Sequence, residues 1–378
     1  MLSMLVLAVF CTMAARALFS PLMPTLQREL GFGLSTAGSL FLLVSVSYGV
    51  AMLFSGFLSS RIGHGPAIVA ALGSISIGLF TAAVAPNVSV LATGIVLIGA
   101  GAGTYPPSGL VMINTMIAAE RRNTAISIHE LGPNLALLAA PLLVIVFEPW
   151  LGRRGMLLGS AALCAVAALA FRRWGVSGSG YGTAPKLSTI LMILRLRTAI
   201  LGMVILSAAL AGVQGVYAIL PAYLVTQHGL SSGYVNLLLS LSRVTGILLL
   251  VRAGAIITRI GRRRTIAGIL LFSAVLTGLI GLVRGPLLAI VVVAQPALLT
   301  VLFPAILASI ATIGDVRYQN VTYALIIMIA VSVGSGVAPA LLGVFGDLGI
   351  GWAGFVVLAV FMLTAAVFLR STPAFGRE

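Results

Sequence analysis

Charge is what this sequence has least of. Of its 378 residues 8% are charged, seven are Asp or Glu, and a single lysine accompanies 21 arginines. So few ionisable groups cannot cover a water-facing surface when 60% of the residues are hydrophobic and the mean hydropathy is +1.18, which excludes a soluble globular domain. The two cysteines, Cys11 and Cys164, both lie inside apolar runs and exclude a disulfide framework. No His/Cys spacing suits a metal, so neither metal nor other cofactor is expected. A net charge of +15 does not point to nucleic acid, because the arginines are scattered through short loops instead of being gathered on one domain.

Long hydrophobic runs are what the sequence does have. Twelve are of bilayer-spanning length, near 2–26, 35–58, 65–85, 88–116, 123–147, 152–171, 198–226, 232–256, 264–283, 286–312, 318–345 and 350–369. The first, "MLVLAVFCTMAARALFSP", lacks the basic flank of a cleaved signal and reads as a span. If the spans alternate from a cytoplasmic N-terminus, fifteen basic residues fall inside and four outside. That asymmetry predicts a cell-membrane protein with both termini cytoplasmic. The stretch "RRWGVSGSGYGTAPKLST" at 172–189 divides the spans six and six. The expected organisation is an N-terminal bundle over 1–173, a cytoplasmic linker over 174–192 and a C-terminal bundle over 193–378.

The triplet Arg-Ile-Gly occurs at 61–63 and again at 259–261, 198 residues on, each time at the cytoplasmic end of the second span of its half. A parallel repeat follows, with a pseudo-two-fold axis along the membrane normal. The surrounding residues resemble the major facilitator superfamily, whose signature between spans 2 and 3 is roughly G-x-x-x-D-R-x-G-R-R. Gly56, Arg61 and Gly63 match in the first half, and Gly254, Arg259, Gly261, Arg262 and Arg263 in the second. Ser60 and Thr258 stand where the family has aspartate, and His64 where it has arginine. The resemblance implies an all-α membrane protein of twelve helices in two six-helix bundles, working by alternating access. It also implies that spans 1, 4, 7 and 10 line a cavity, spans 2, 5, 8 and 11 flank it, and the matched loop residues serve in gating.

Ionisable residues inside a membrane are costly, about 2.5–3.5 kcal/mol on insertion scales, and are kept for a task or a partner. Here they are Arg16 in span 1, His129 and Glu130 in span 5, and Arg243 and Arg252 in span 8. Helical spacing places Thr12, Arg16 and Ser20 in one polar stripe, Ser127, Glu130 and Asn134 in a second, and Asn236, Ser240 and Arg243 in a third. Arg252 lies about 180° from Arg243 near a helix end and is expected to snorkel. Tyr105, Gln214, Tyr217, Gln295 and Tyr323, with Ser108 and Asn320, are further candidates for hydrogen bonding to a solute; each could instead bond across helices.

Two arginines against one central carboxylate suggest the solute's sign. The expected solute is an organic or inorganic anion, held between the two halves by the guanidinium groups of Arg16 and Arg243. A competing arrangement pairs Arg16 with Glu130. Glu130 beside His129 is the natural place for proton coupling; its alternative is a permanent salt bridge. The other readings are a proton-coupled exporter of amphipathic drugs, a transport-inactive sensor of the same fold, and an intramembrane enzyme, for which no nucleophile or metal set exists. The expected protein is a monomer and not an enzyme. "GAGAG" at 99–103 lacks the strand context of a phosphate loop and is read as close helix packing. "TYPPSG" at 104–109 is expected to interrupt or kink span 4.

Overall fold

The computed structural model describes residues 1–175, 187–310, 313 and 318–369. Most of the expected linker, with Lys186, Arg317, Arg370 and Arg377, lies outside the described residues, as does the side chain of Asn320. Helices account for the rest because backbone groups in hydrocarbon must be satisfied within their own segment. In order they are α1 (Leu2–Ala17), α2 (Phe19–Leu30), α3 (Leu34–Ile62), α4 (His64–Ala83), α5 (Val88–Met116), α6 (Arg122–Trp174), α7 (Leu187–Arg195) and α8 (Arg197–Leu210). There follow α9 (Val216–His228), α10 (Ser232–Val251), α11 (Ala253–Ile260), α12 (Arg262–Leu282), α13 (Gly285–Thr300), α14 (Leu302–Ile310), α15 (Gln319–Ala330), α16 (Ala338–Asp347) and α17 (Gly351–Phe368).

Eleven of the helical stretches are long and apolar enough to cross a membrane. One of them, α6, has 53 residues, about 80 Å of helix and far more than a 30 Å hydrocarbon layer needs. Gly152, at φ 59° and ψ −180°, breaks it into two membrane lengths, which makes twelve spans. The break falls between the fifth and sixth runs expected from hydropathy. Neither Pro106 nor Pro107 ends α5, which runs through both. Proline removes an N–H donor but holds φ near the helical value, so the expected interruption is a loss of ladder bonds inside a continuous helix.

The repeated tripeptide has a repeated geometry. Gly63 turns the chain from α3 into α4 at φ 84°, and Gly261 turns it from α11 into α12 at φ 90°. A side chain at either position would be strained, which explains why both copies carry glycine. Ser60 and Thr258, standing in place of aspartate, donate to carbonyls of their own helices, Phe57 O and Gly254 O.

Two compact units make up the chain, one of residues 1–32 and 43–185, the other of residues 33–42 and 186–378. In the first, α4 packs on α5 and on α6, and α6 on α1. Contacts there are close because the helices present small residues. A Cβ on Gly103 would lie 2.0 Å from the carbonyl oxygen of Tyr48, and one on Gly101 would lie 2.5 Å from that of Ala71. This is the packing expected of "GAGAG". In the second unit α12 packs on α17 and α10 on α13. The spans of α8–α9 and α15–α16 each contain a π-helical stretch, Ala211–Gly215 and Val331–Val337.

Two polar devices tie helix ends. In the second unit the Asp347 carboxylate accepts from the backbone N–H groups of Leu34 and Ser35, both at 2.8 Å, and so caps α3, which lacks a capping residue of its own. In the first unit Arg153 is 2% exposed and pairs with Glu29, donating also to the carbonyls of Ala82 and Ala85 at the end of α4. Arg153 falls at the joint between the fifth and sixth spans, and the fold buries it there. Asp347→Ala should cost about 1 kcal/mol, the loss of one cap. Glu29→Ala should cost about 3 kcal/mol because it leaves a buried guanidinium unpaired. Thermal unfolding of the purified variants in detergent checks the order; equal losses would contradict it.

Candidate functional site

The three polar stripes emerge with different surroundings. Thr12 and Ser20 are buried on their helices, and Arg16 sits between them with its Cζ 4.3 Å from the centroid of the Tyr48 ring. On α10, Asn236, Ser240 and Arg243 are 2%, 4% and 8% exposed. Arg243 places its Cζ 4.2 Å from the centroid of the Tyr217 ring. Each unit therefore holds one arginine over one tyrosine.

Neither arginine has an acid. Among the described residues no carboxylate lies within ion-pair distance of Arg16 or Arg243, so the pairing of Arg16 with Glu130 is not formed. Among the described residues, three of their nitrogens, Arg16 Nε, Arg243 Nε and Arg243 Nη2, are buried without a hydrogen-bond partner, as is Asn236 Oδ1. A desolvated cation–π contact recovers about 2 kcal/mol. The intramembrane charge costs about 2.5–3.5 kcal/mol, and each orphaned donor a further 1–3 kcal/mol. The aromatic face thus steadies each guanidinium without satisfying it, and an acceptor anion would complete the set.

The first unit also holds a chain of three side chains on α5 and α6. The Tyr105 hydroxyl is fully buried, donates to the carbonyl of Leu5 at 2.8 Å, and lies 2.8 Å from His129 Nε2, the two rings stacked at 5.9 Å. His129 Nδ1 is 3.4 Å from Glu130 Oε1. Asn134 donates to the Glu130 backbone carbonyl at 2.8 Å.

The remaining candidates spread out. Gln214 sits in the first π-helical stretch and accepts from Ser335 of the second at 3.0 Å. Gln295 is fully buried and donates to Gly212 O at 3.1 Å and Thr277 Oγ1 at 2.9 Å, bridging helices. Tyr323 is half-buried on α15. Ser108 pairs with Nδ1 of His64 at 3.2 Å. Arg252 is exposed at the end of α10, and of the loop residues Arg61 and Arg259 are exposed while Arg262 and Arg263 are half-buried. Among the described residues no three His, Cys, Asp or Glu side chains converge as a metal site. The second unit also has an apolar crevice of about 250 Å³, lined by Ala211, Val333, Val337, Leu341, Val357 and Phe361 among others.

Sequence reading missed Tyr48 and Ser335. Tyr48 had a usable signal, since it precedes Arg243 by 195 residues, close to the repeat spacing, as Arg16 precedes Tyr217 by 201. Ser335 had none, because a π-helical stretch leaves no mark in hydropathy.

Among the described residues, twelve spans in two units with buried polar groups on otherwise apolar helices define a multi-pass membrane protein. The Major Facilitator Superfamily family model matches residues 5–210. The chain belongs to that family. Over 108 residues it is 29% identical to the "Major facilitator superfamily multidrug transporter mfsC" of Aspergillus fumigatus, covering 28% of this chain and 21% of that one. Over 174 residues it is 24% identical to "Multidrug resistance protein D" of Escherichia coli, covering 46% and 44%. The chain thus spans less than half the length of these curated relatives. Its fold is similar to a bacterial homologue of the lysosomal transporter Spinster (TM-score 0.76, 15% identity, 100% of this chain and 98% of that one). It is likewise similar to a D-xylose–proton symporter (TM-score 0.76, 16% identity, 100% and 97%).

If each tyrosine steadies its arginine through the ring face, Tyr48→Phe and Tyr217→Phe should keep thermal stability within about 0.5 kcal/mol of the parent. Tyr48→Leu and Tyr217→Leu should lose about 1–2 kcal/mol each. Thermal melts of the four purified variants separate the cases; leucine performing as well as phenylalanine would dismiss the ring contact.

Proposed function

We propose that this transporter is a secondary active carrier of an anionic solute, with Arg16 and Arg243 as the groups that recognise it. One observation carries the reading: half-buried Arg16 and buried Arg243 each lie against a tyrosine, and among the described residues neither meets a carboxylate while Arg16 Nε, Arg243 Nε and Arg243 Nη2 find no acceptor. A carboxylate, a phosphate or an inorganic oxyanion would accept from them in a forked geometry that lysine cannot offer. Asn236 and Tyr217, beside Arg243 on the same polar surface, would add hydrogen bonds. Tyr105, Gln214, Gln295 and Tyr323 are assigned lesser shares, since most already serve other partners.

Proton coupling belongs, on this reading, to Glu130 and His129. The Arg-Ile-Gly loops, with Gly56 and Gly254 ahead of them and Arg262 and Arg263 behind the second, act in gating. The bias of basic residues supports a place in the cell membrane with both termini cytoplasmic.

A second reading has its own support. Both curated relatives are named as multidrug transporters, and the apolar crevice of the second unit suits a greasy compound. Proton-coupled export of amphipathic drugs is therefore the competing function.

A thermal-shift screen of the purified protein decides the class. Mono- and dicarboxylates, sugar phosphates and inorganic anions should stabilise it, and cationic drugs should not. With the anion so found, Arg243→Ala should reduce uptake into proteoliposomes about 10–150-fold, the equivalent of about 1.5–3 kcal/mol for a hydrogen bond to charge. Unchanged uptake by that variant, or stabilisation by cationic drugs alone, would replace this reading with the export one.

A further inference from the structure

Helix α10 treats its polar side chains in two ways. Ser240, Ser242 and Thr245 each return their hydroxyl proton to a carbonyl of the same helix, Asn236 O, Leu239 O and Leu241 O, at 2.7–2.9 Å. A hydroxyl in hydrocarbon is ordinarily satisfied in this manner. Asn236 and Arg243, 2% and 8% exposed, are left otherwise. Asn236 Oδ1, Arg243 Nε and Arg243 Nη2 are buried and, among the described residues, meet no partner.

The unmet atoms are of opposite kinds. A guanidinium can only donate, and a carboxamide oxygen can only accept. The two residues are about 20° apart in rotation and about 10.5 Å apart in rise, so they share one helix face two turns from each other. Helical side chains lean toward the N-terminus, which aims the long Arg243 side chain along that face toward Asn236. Had the two met, each would have satisfied the other. Both remain unmet, so more than a hydrogen-bond length separates them, with donors at one end of the gap and an acceptor at the other. The Tyr217 ring covers the guanidinium face, 4.2 Å from Cζ to centroid, and leaves the edge as the side from which a ligand is held.

From this pattern we propose that Asn236 is a specificity-determining residue and that the solute is an anion bearing a hydroxyl group, whose carboxylate or phosphate accepts from Arg243 while its hydroxyl donates to Asn236 Oδ1. The proposal rests on the reading of Arg243 as an anion-binding group and names the class of anion. A plain carboxylate or phosphate ester satisfies the guanidinium end alone. It leaves Oδ1 dry, and an unmet buried acceptor costs more than a missing bond because its desolvation stays uncompensated. A site built to bond a hydroxyl therefore turns away the analogue that lacks one. An ammonium group would also donate, but it adds a second cation beside Arg243, where among the described residues no carboxylate lies within ion-pair distance.

Other buried donors of the second unit are committed elsewhere. Gln295 Nε2 serves Gly212 O and Thr277 Oγ1, the Thr277 hydroxyl serves Ser273 O, and the Ser335 hydroxyl serves Gln214 Oε1. A trapped water would serve Asn236 only by staying in place when the solute binds, and the hydroxyl would then add nothing to affinity.

Matched pairs of anions, titrated against the purified protein in detergent with thermal shift as the readout, test this. The pairs are lactate and propionate, 3-hydroxybutyrate and butyrate, and 2-hydroxyethyl phosphate and ethyl phosphate. In at least one pair the hydroxylated member should bind about tenfold tighter. Asn236→Leu, close in volume, should bring that ratio to about one while the plain anion keeps its affinity. The ratio in the parent protein needs no variant, so it decides the matter even if Asn236→Leu does not fold. Equal binding within every pair, as a retained water would give, overturns the proposal and leaves the anion reading standing; a preference that survives Asn236→Leu overturns it too. Alanine binding as tightly as lactate would refute the choice of a hydroxyl. Stabilisation by none of these anions would remove the anion reading and this proposal with it.

Discussion

A guanidinium in the hydrocarbon layer constrains everything placed around it. It cannot lose its proton at any working pH and cannot leave its donors dry without cost. Three arginines of this chain meet that constraint in two ways. Arg153 is given Glu29 and two carbonyls at a helix end, and the outcome is a structural tie. Arg16 and Arg243 are given an aromatic face and, among the described residues, no carboxylate. Cation–π attraction is non-directional about the edge of the guanidinium, so it steadies the group while leaving its N–H fork available. A carboxylate in the same place would have closed the fork. On the proposed reading, that difference in partner separates a structural arginine from one kept ready for a ligand.

The two ready arginines also show how a duplicated unit can conserve an interaction while changing its residues. In the first unit the arginine is on the first span and the tyrosine on the second. In the second unit the tyrosine is on α9, within that unit's first span, and the arginine on α10, its second. Each unit keeps one cation over one ring and exchanges which helix supplies which. The contact requires only that the two facing helices bring one of each to the same depth. The loop glycines behave otherwise. Gly63 and Gly261 hold φ near 84° and 90°, a backbone demand met by glycine alone, and here the residue itself is repeated.

Legibility in the sequence followed the same division. Twelve spans were readable because hydropathy over some twenty residues is a strong signal in a medium that admits only helices. Even the division of the 53-residue α6 was visible, since Gly152 sits at the polar joint between two apolar runs. Intramembrane arginines were readable because so few charges compete with them. Their partners were harder to see. Tyr48 looked like any aromatic on a greasy helix, and Arg153 like a loop charge, because a contact between segments a hundred residues apart leaves no local pattern. The π-helical stretches that bring Gln214 to Ser335 were invisible for a related reason: a one-residue slip in the backbone ladder changes geometry without changing composition.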